Sequence, residues 1–305
     1  MQTVAVIMST YNGEKYLAEQ LDSILAQEGV HVELYIRDDG SKDSTREILT
    51  SYAEKHANIH LDFGENLGYA RSFITELAAA SGFEYYAFSD QDDYWKPEKL
   101  ITAVTAIQAE EAKHSTNTTV MYYSNLYVSD INLNVIRKTK IEHRIKTLEG
   151  ITLRRTMIAG CTIVMNAKLR EIAISMPEFV GAHDSLIVSL CLFTKGIAIC
   201  DTNSYILSRQ HGHNTVGSSI KMLPRIKREW QRLLHDDGFE AKRAQCYLKY
   251  WRDDFSPEAK KVMTVTAGYR ENLLYRLEML LSPKYRTGDW RLTLWGKARA
   301  FFGWL

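Results

Sequence analysis

Three carboxylates, Asp90, Asp92 and Asp93, fall within four positions directly behind Glu84-Tyr85-Tyr86-Ala87-Phe88, a run that predicts a buried strand. Like charges this close repel one another, and a strand end is a poor place to leave them unpaired. A hard divalent cation, Mg²⁺ or Mn²⁺, resolves the conflict, because it prefers oxygen ligands and commonly binds through few carboxylates plus a substrate's phosphates. A solvated acidic turn is the plain alternative. Two more polar clusters follow apolar runs in the same way: Ser9-Thr10-Tyr11-Asn12 after residues 4–8, and Asp38-Asp39-Gly40-Ser41 after residues 32–36. Further along, Asp184 opens a stretch rich in leucine and isoleucine, and His211 and His213 flank Gly212. Asp184 suits a helix N-cap, and a carboxylate fixed there still has an oxygen left for proton transfer.

The elements that must position these groups alternate. After the strand at 4–8 comes a helical pattern carrying Tyr16, Leu17, Leu21, Ile24 and Leu25 on one face. A strand at 32–36 leads to a helix with Ile48, Leu49 and Tyr52 inward, capped by Asp43 or Ser44. A third strand spans 59–63, and Asn66-Leu67-Gly68 turns into a helix through Phe73, Ile74 and Leu77 before the strand at 85–88. This order predicts an α/β fold with a mainly parallel, Rossmann-like central sheet flanked by helices. Ligands of such sheets bind beyond the carboxyl ends of the strands, where all three polar clusters fall. From about 120 the pattern predicts shorter, mixed strands (120–123 and 161–165), with a basic, mobile loop at 141–146. Long basic amphipathic helices follow. The expected division is a nucleotide-binding and catalytic domain over 1–217 and a helical C-terminal extension over 218–305.

With 305 residues, 45% hydrophobic and 25% charged, the chain is long enough to bury a proper core, and its net charge of +1 gives no sign of nucleic-acid binding. Cys161, Cys191, Cys200 and Cys246 are scattered without zinc-site spacing, which predicts free thiols in a reducing compartment. The first residues look like a strand and not a signal peptide, and no apolar stretch approaches the roughly 20 residues of a membrane span. A cytoplasmic protein, at most peripheral on the cytoplasmic face of a membrane, is expected.

At this point the chain resembles the family-two inverting glycosyltransferases of the GT-A fold. The likeness covers residues 3–217 and rests on seven segments in the family's order: Ser9-Thr10-Tyr11-Asn12-Gly13, Asp38-Asp39-Gly40-Ser41-Lys42-Asp43-Ser44-Thr45, Asn66-Leu67-Gly68, Asp90-Gln91-Asp92-Asp93 with Pro97 behind it, Gly160-Cys161-Thr162, His183-Asp184, and Arg209-Gln210-His211-Gly212. Within that family the acidic run and the Arg-Gln-His-Gly segment look most like bacterial rhamnosyltransferases of surface-polysaccharide synthesis. The resemblance implies a nucleoside diphosphate sugar donor, a saccharide or lipid-linked saccharide acceptor, and Mn²⁺ or Mg²⁺. It implies a nucleotide site of Thr10, Tyr11, Asp39, Asn66, Arg71 and Asp90, with Tyr11 against the base and Asp38 bracing the turn. It places the metal on Asp92 with His211, or on Asp93, makes Asp184 the general base, and puts His183 and Trp95 beside the acceptor.

Residues 221–234 set Leu223, Ile226, Trp230, Leu233 and Leu234 against a face of lysine and arginine, and the chain's end repeats the theme with Trp290, Leu294, Trp295 and Trp304. Such helices suit an anionic membrane surface, with packing on the catalytic domain or a homodimer contact as alternatives. For the function itself, dTDP-rhamnose is the expected donor and a UDP-hexose the alternative. A nucleotidyltransferase would carry a glycine-rich basic loop after the first strand, where residues 9–16 have one glycine and one lysine. An inactive nucleotide-sugar-binding module has no need of Asp184.

Overall fold

A computed structural model describes residues 1–115, 117–141, 147–153, 158–176, 181–211 and 238–303. Strands β1 (Gln2–Thr10), β2 (Val30–Asp38), β3 (Ile59–Phe63) and β4 (Tyr85–Ser89) alternate with helices α1 (Leu17–Leu25), α2 (Thr45–Ala53) and α3 (Tyr69–Ala79). After them come β5 (Tyr94–Trp95), α4 (Lys99–Glu111), β6 (Val120–Ser129), β7 (Val135–Lys138), α5 (Leu148–Leu153), β8 (Val164–Asn166), α6 (Ala167–Ile174), α7 (His183–Phe193) and β9 (Ile197–Arg209). The remaining described elements are all helical: α8 (Phe239–Trp251), α9 (Pro257–Gly268), α10 (Leu273–Leu281) and α11 (Trp290–Phe302).

One sheet runs β3-β2-β1-β4-β8-β6-β9-β5, with β7 beside β6. Its first four strands are parallel, as the alternating pattern predicts. Beyond β4 it is mixed: β8 is antiparallel to both β4 and β6, whereas β6 and β9 are parallel. The expectation of short strands there holds for β8, with 3 residues, and fails for β6, which has 10; β9, with 13, is the longest of the described strands. Cys161 lies in a 3-10 turn, Gly160–Thr162, and not in a strand.

Residues Val4, Val6 and Met8 of β1 are buried with Leu17, Leu21 and Ile24 of α1, and the apolar run is continuous because both faces of the strand are covered. β1 pairs with β2 on one side and β4 on the other, so the strand order reverses at β1. In a parallel sheet that reversal opens a crevice beyond the strand ends. The register sets Met8 opposite Ser89 and Thr10 opposite Asp38. The three polar clusters therefore share one edge.

The chain divides into two compact units, Met1–Ile141 with Ile158–Arg209, and Glu142–Met157 with Gln210–Leu305. The change thus falls at 209/210, where the sequence pattern places it at 217/218, and α5 joins the carboxy-terminal unit. There Leu153 packs with Ala241, Val265, Tyr269, Met279, Tyr285 and Ala300. The basic loop at 142–146, the amphipathic segment at 221–234, His213 and Trp304 lie outside the described residues.

A buried acid on α3 has a measurable consequence. The Glu76 carboxyl is buried near Asp62, Arg37 and His60, and burial, then the charge of Asp62, push its pKa up to about 7 from 4.5. Between those values the folded carboxyl keeps a proton that the unfolded chain has lost, so this group's contribution to stability falls as pH rises through the window. Glu76→Gln is expected to gain on the order of 2 kcal/mol over the parent on going from about pH 5 to about pH 8. Thermal melts at the two pH values check this; an equal difference at both would remove the ionisation as the cause.

Candidate active site

The rim is laced together by side chains of small polar residues. Asn12, with a φ of 48°, accepts the Lys42 N–H at 2.8 Å and donates its own N–H to Ser41 Oγ at 2.9 Å. The Gly13 N–H donates to Thr45 Oγ1 at 2.8 Å, and Glu14 takes the Ser44 N–H at 2.9 Å. The loops after β1 and β2 thereby hold each other, and Tyr11, 46% exposed, stands on the braced turn.

Asp38 braces its own turn, as expected. Its carboxylate takes the Ser41 N–H at 3.1 Å, the Ser41 hydroxyl, the Thr10 hydroxyl at 3.2 Å and Arg46 Nε at 2.5 Å. Thr10 is fully buried and gives its hydroxyl to Asp38. Asp39 is also buried, and its two oxygens accept the Leu67 and Gly68 N–H groups at 2.8 and 2.9 Å. It therefore fixes the loop that carries Asn66 and leads to Arg71, both of which are exposed. Gly40 has a φ of 86°, and a Cβ there would lie 3.3 Å from the Asn66 nitrogen, so the close approach of these loops requires glycine.

The acidic loop is tied to the Tyr11 loop by a residue the sequence reading passed over. Gln91 accepts the Tyr11 N–H at 2.9 Å through Oε1 and donates Nε2 to the Tyr11 carbonyl at 3.1 Å. A Cβ at Gly13 would lie 2.3 Å from that Oε1. α1 and the turn after it support the segment around the same loop: Gln20 Nε2 donates to Ser89 Oγ at 2.9 Å, Ser23 Oγ accepts the Trp95 N–H at 3.1 Å, and Gln27 Nε2, just past the helix, donates to the Lys96 carbonyl at 2.8 Å. Gln20 and Ser23, at i and i+3, lie on one side of α1.

The three acids part ways. Asp93 is buried; its Oδ1 accepts the Arg209 N–H at 3.3 Å, and the Cys161 and Ser208 side chains also hydrogen-bond to the carboxylate. Asp90, Asp93 and Cys161 bring ligand-type atoms within 4.8 Å of one another. Burial first, then the neighbouring carboxylates, push the Asp90 pKa up to about 7 and that of Asp93 well above the carboxylate range. Asp92 stays half-buried. Lys99 is buried, and among the described residues its Nζ has no hydrogen-bond acceptor; it lies 3.4 Å from the centroid of the Trp95 ring. Burial lowers its pKa to about 7, while the charges of Cys161 and Asp93 oppose that fall. Arg209, at the end of β9, donates Nε to the Asp92 carbonyl at 3.1 Å and pairs with Glu19. His211 follows two residues later and belongs to the carboxy-terminal unit.

Asp184 occupies the second position of α7; Ala182 is the N-cap, and Asp184 Oδ1 accepts the Ser185 N–H at 2.5 Å. The capping role that the sequence allows is therefore not the one it plays. Its charge is the smallest of the causes that raise the Asp90 pKa, which puts this helix carboxylate in the neighbourhood of the acidic loop. Two neighbours do not face the crevice. Trp95 is 0% exposed within the main core, so it has no surface to offer an acceptor. His183 is buried, stacked on Phe73 at 4.1 Å and set edge-on to Phe88 at 4.8 Å, with neither ring nitrogen hydrogen-bonded. Burial drops its pKa to about 3, so it is a neutral core aromatic and not an acceptor ligand.

Solved structures of similar fold include S. aureus TarS 1–349 in complex with UDP-GlcNAc (TM-score 0.56, 19% identity, 100% of this chain and 89% of that one). Mannosyltransferase PcManGT from Pyrobaculum calidifontis, in complex with GDP-Man and Mn²⁺, is another (TM-score 0.52, 20% identity, 98% and 86%). The chain is 26% identical to the dTDP-rhamnosyl transferase RfbG of Shigella flexneri over 72% of its length and 77% of that protein's. It is 29% identical to the putative teichuronic acid biosynthesis glycosyltransferase TuaG of Bacillus subtilis, over 71% and 82%. An uncharacterized glycosyltransferase of Nostoc sp. is 39% identical over 109 residues, a match spanning about a third of each chain (35% and 34%). The model of the family described as Glycosyl transferase family 2 matches residues 5–172, more than half the chain, and the chain belongs to that family.

Proposed function

We propose that the chain moves a sugar, L-rhamnose from dTDP-rhamnose, onto a saccharide of a cell-surface polymer, inverting the anomeric configuration. The observation that carries the reading is the joining of exposed Tyr11 to the acidic loop through Gln91, with Asp184 near enough for its charge to act on Asp90. Tyr11 supplies a face for the nucleobase, Asp39 holds the Asn66 loop against it, and Arg71 one turn into α3 serves the phosphates. Asp184 takes the proton of the attacking acceptor hydroxyl while the diphosphate leaves from the opposite face.

The donor set suits Mn²⁺ or Mg²⁺. Crowded carboxylates with raised pKa values mark a place that favours a cation. The trio of half-buried Asp90 with buried Asp93 and Cys161 is the poorer seat, since burial keeps the thiol protonated and a hard cation needs room for water and phosphate oxygens. Half-buried Asp92 is the direct ligand in this reading, with Asp90 beside it in the same loop. When bound, the ion neutralises charge on the departing diphosphate.

Two relatives point to the polymer and the sugar: one is named a dTDP-rhamnosyl transferase and the other a teichuronic acid biosynthesis enzyme. Turnover of dTDP-rhamnose, UDP-glucose, UDP-GlcNAc and GDP-mannose by the full chain with Mn²⁺ tests the reading. dTDP-rhamnose is expected to show the highest kcat/KM. A faster UDP-hexose would overturn the rhamnose assignment, and binding without turnover of every donor would overturn the transferase reading.

A further inference from the structure

We infer that the face formed by α10 and α11 is a docking surface for an anionic lipid bilayer. The inference concerns the carboxy-terminal unit alone and does not rest on the donor or the sugar. On α10, Leu274 and Leu281 are each 72% exposed, and with the half-buried Leu277 they recur at i, i+3 and i+7, one stripe of the helix, while Met279 faces the core. On α11, Trp290 is 71% and Leu294 63% exposed, one turn apart. Large apolar side chains left in water over a contiguous region mark an interaction surface.

Chemistry around these residues selects the partner. Trp290 and Leu294 line a shallow depression of about 580 Å³ together with Arg286 and Lys297. Lys297 Nζ donates to the Leu280 and Ser282 carbonyls at 3.0 and 2.7 Å, which fastens α11 to the end of α10 and makes the two helices one piece. From 273 to 302 the chain carries Arg276, Lys284, Arg286, Arg291, Lys297 and Arg299 against Glu278 and Asp289. Both acids are already engaged: Glu278 pairs with Lys261 at 3.3 Å, and Asp289 caps α11 by accepting the Arg291 and Leu292 N–H groups at 2.8 and 3.3 Å. The depression therefore sets tryptophan and leucine beside Arg286 and Lys297, with Asp289 already engaged as a cap, in a segment that is net positive. A second copy would set like charge against like, whereas anionic headgroups over acyl chains complement both features. With 9 and 13 residues the helices are too short to cross a bilayer, and among the described residues no helix is long and apolar enough to do so. They suit the interfacial plane.

Co-sedimentation of the full chain with phosphatidylcholine vesicles, with and without phosphatidylglycerol, tests the inference. Binding is expected only with phosphatidylglycerol, and it should weaken as salt rises. The pair Trp290→Ala with Leu294→Ala, and separately Arg286→Gln with Arg291→Gln, should each reduce it, the latter by roughly fivefold per charge removed. Circular dichroism and donor turnover in solution should stay unchanged, which separates lost docking from lost folding or lost catalysis. Wild-type binding indifferent to phosphatidylglycerol, or variants that bind like wild type, would overturn the inference. So would a dimer seen by light scattering that the Trp290→Ala and Leu294→Ala pair dissociates, since the face would then belong to a second copy.

Discussion

Asp184→Asn is expected to lower sugar transfer by about 10³-fold while leaving donor binding intact. Asparagine keeps the size of the side chain and can still accept the Ser185 N–H, so α7 retains its first turn. What it loses is basicity. It also loses a charge that helps to raise the Asp90 pKa. Asp90 in the variant should therefore ionise more readily, and the half-saturating metal concentration should hold or fall as kcat collapses. That opposite movement distinguishes a base from a structural carboxylate, whose removal would weaken donor and metal binding together. Steady-state kinetics with a saccharide acceptor, alongside calorimetric donor binding, give both readouts. Retained transfer in the variant would remove Asp184 from the mechanism.

Removing divalent metal is expected to reduce transfer by about 10²- to 10³-fold, with recovery on adding Mn²⁺ or Mg²⁺. Asp92→Asn should raise the half-saturating Mn²⁺ concentration at least about tenfold. Cys161→Ala should leave it unchanged, because the buried thiol is held protonated. The pH dependence has a definite sign. Asp90 keeps its proton up to about 7, so below that value a cation must displace it, and metal demand should fall as pH rises through 7. Chelator-insensitive turnover would sink the metal assignment, and a Cys161 variant with altered metal demand would move the ion to the buried trio.

The parallel half of the sheet is legible because each apolar run ends abruptly in hydrogen-bonding residues, the local signature of a strand reaching a crevice. The acidic loop and Asp38's bracing role follow from the same break. Trp95 and His183 mislead for one reason: beside carboxylates an aromatic suggests a sugar platform, yet each turns into the core. The signal for Lys99 was present, since it sits with Ala103 and Ile107 on the buried face of α4, where a lysine needs an electrostatic reason. Gln91 lies within the acidic segment but carries no charge, and Gln20, Ser23 and Gln27 form no motif, so only their contacts reveal what they do. The allegiance of α5 is equally hidden, because Leu153 packs against Val265 and Ala300, more than a hundred residues on.

The Gln91 amide has a consequence for anyone who would redesign this site. It joins the Tyr11 peptide by two hydrogen bonds and sits where a side chain on Gly13 would stand. The Tyr11 turn and the acidic loop are thus a single mechanical part; under the proposed function they are in register before a nucleotide arrives, which spares the ligand the entropic cost of aligning them. A new base specificity grafted by exchanging residues 9–14 alone would drag the acidic loop out of place. Gly13 and Gln91 have to travel together.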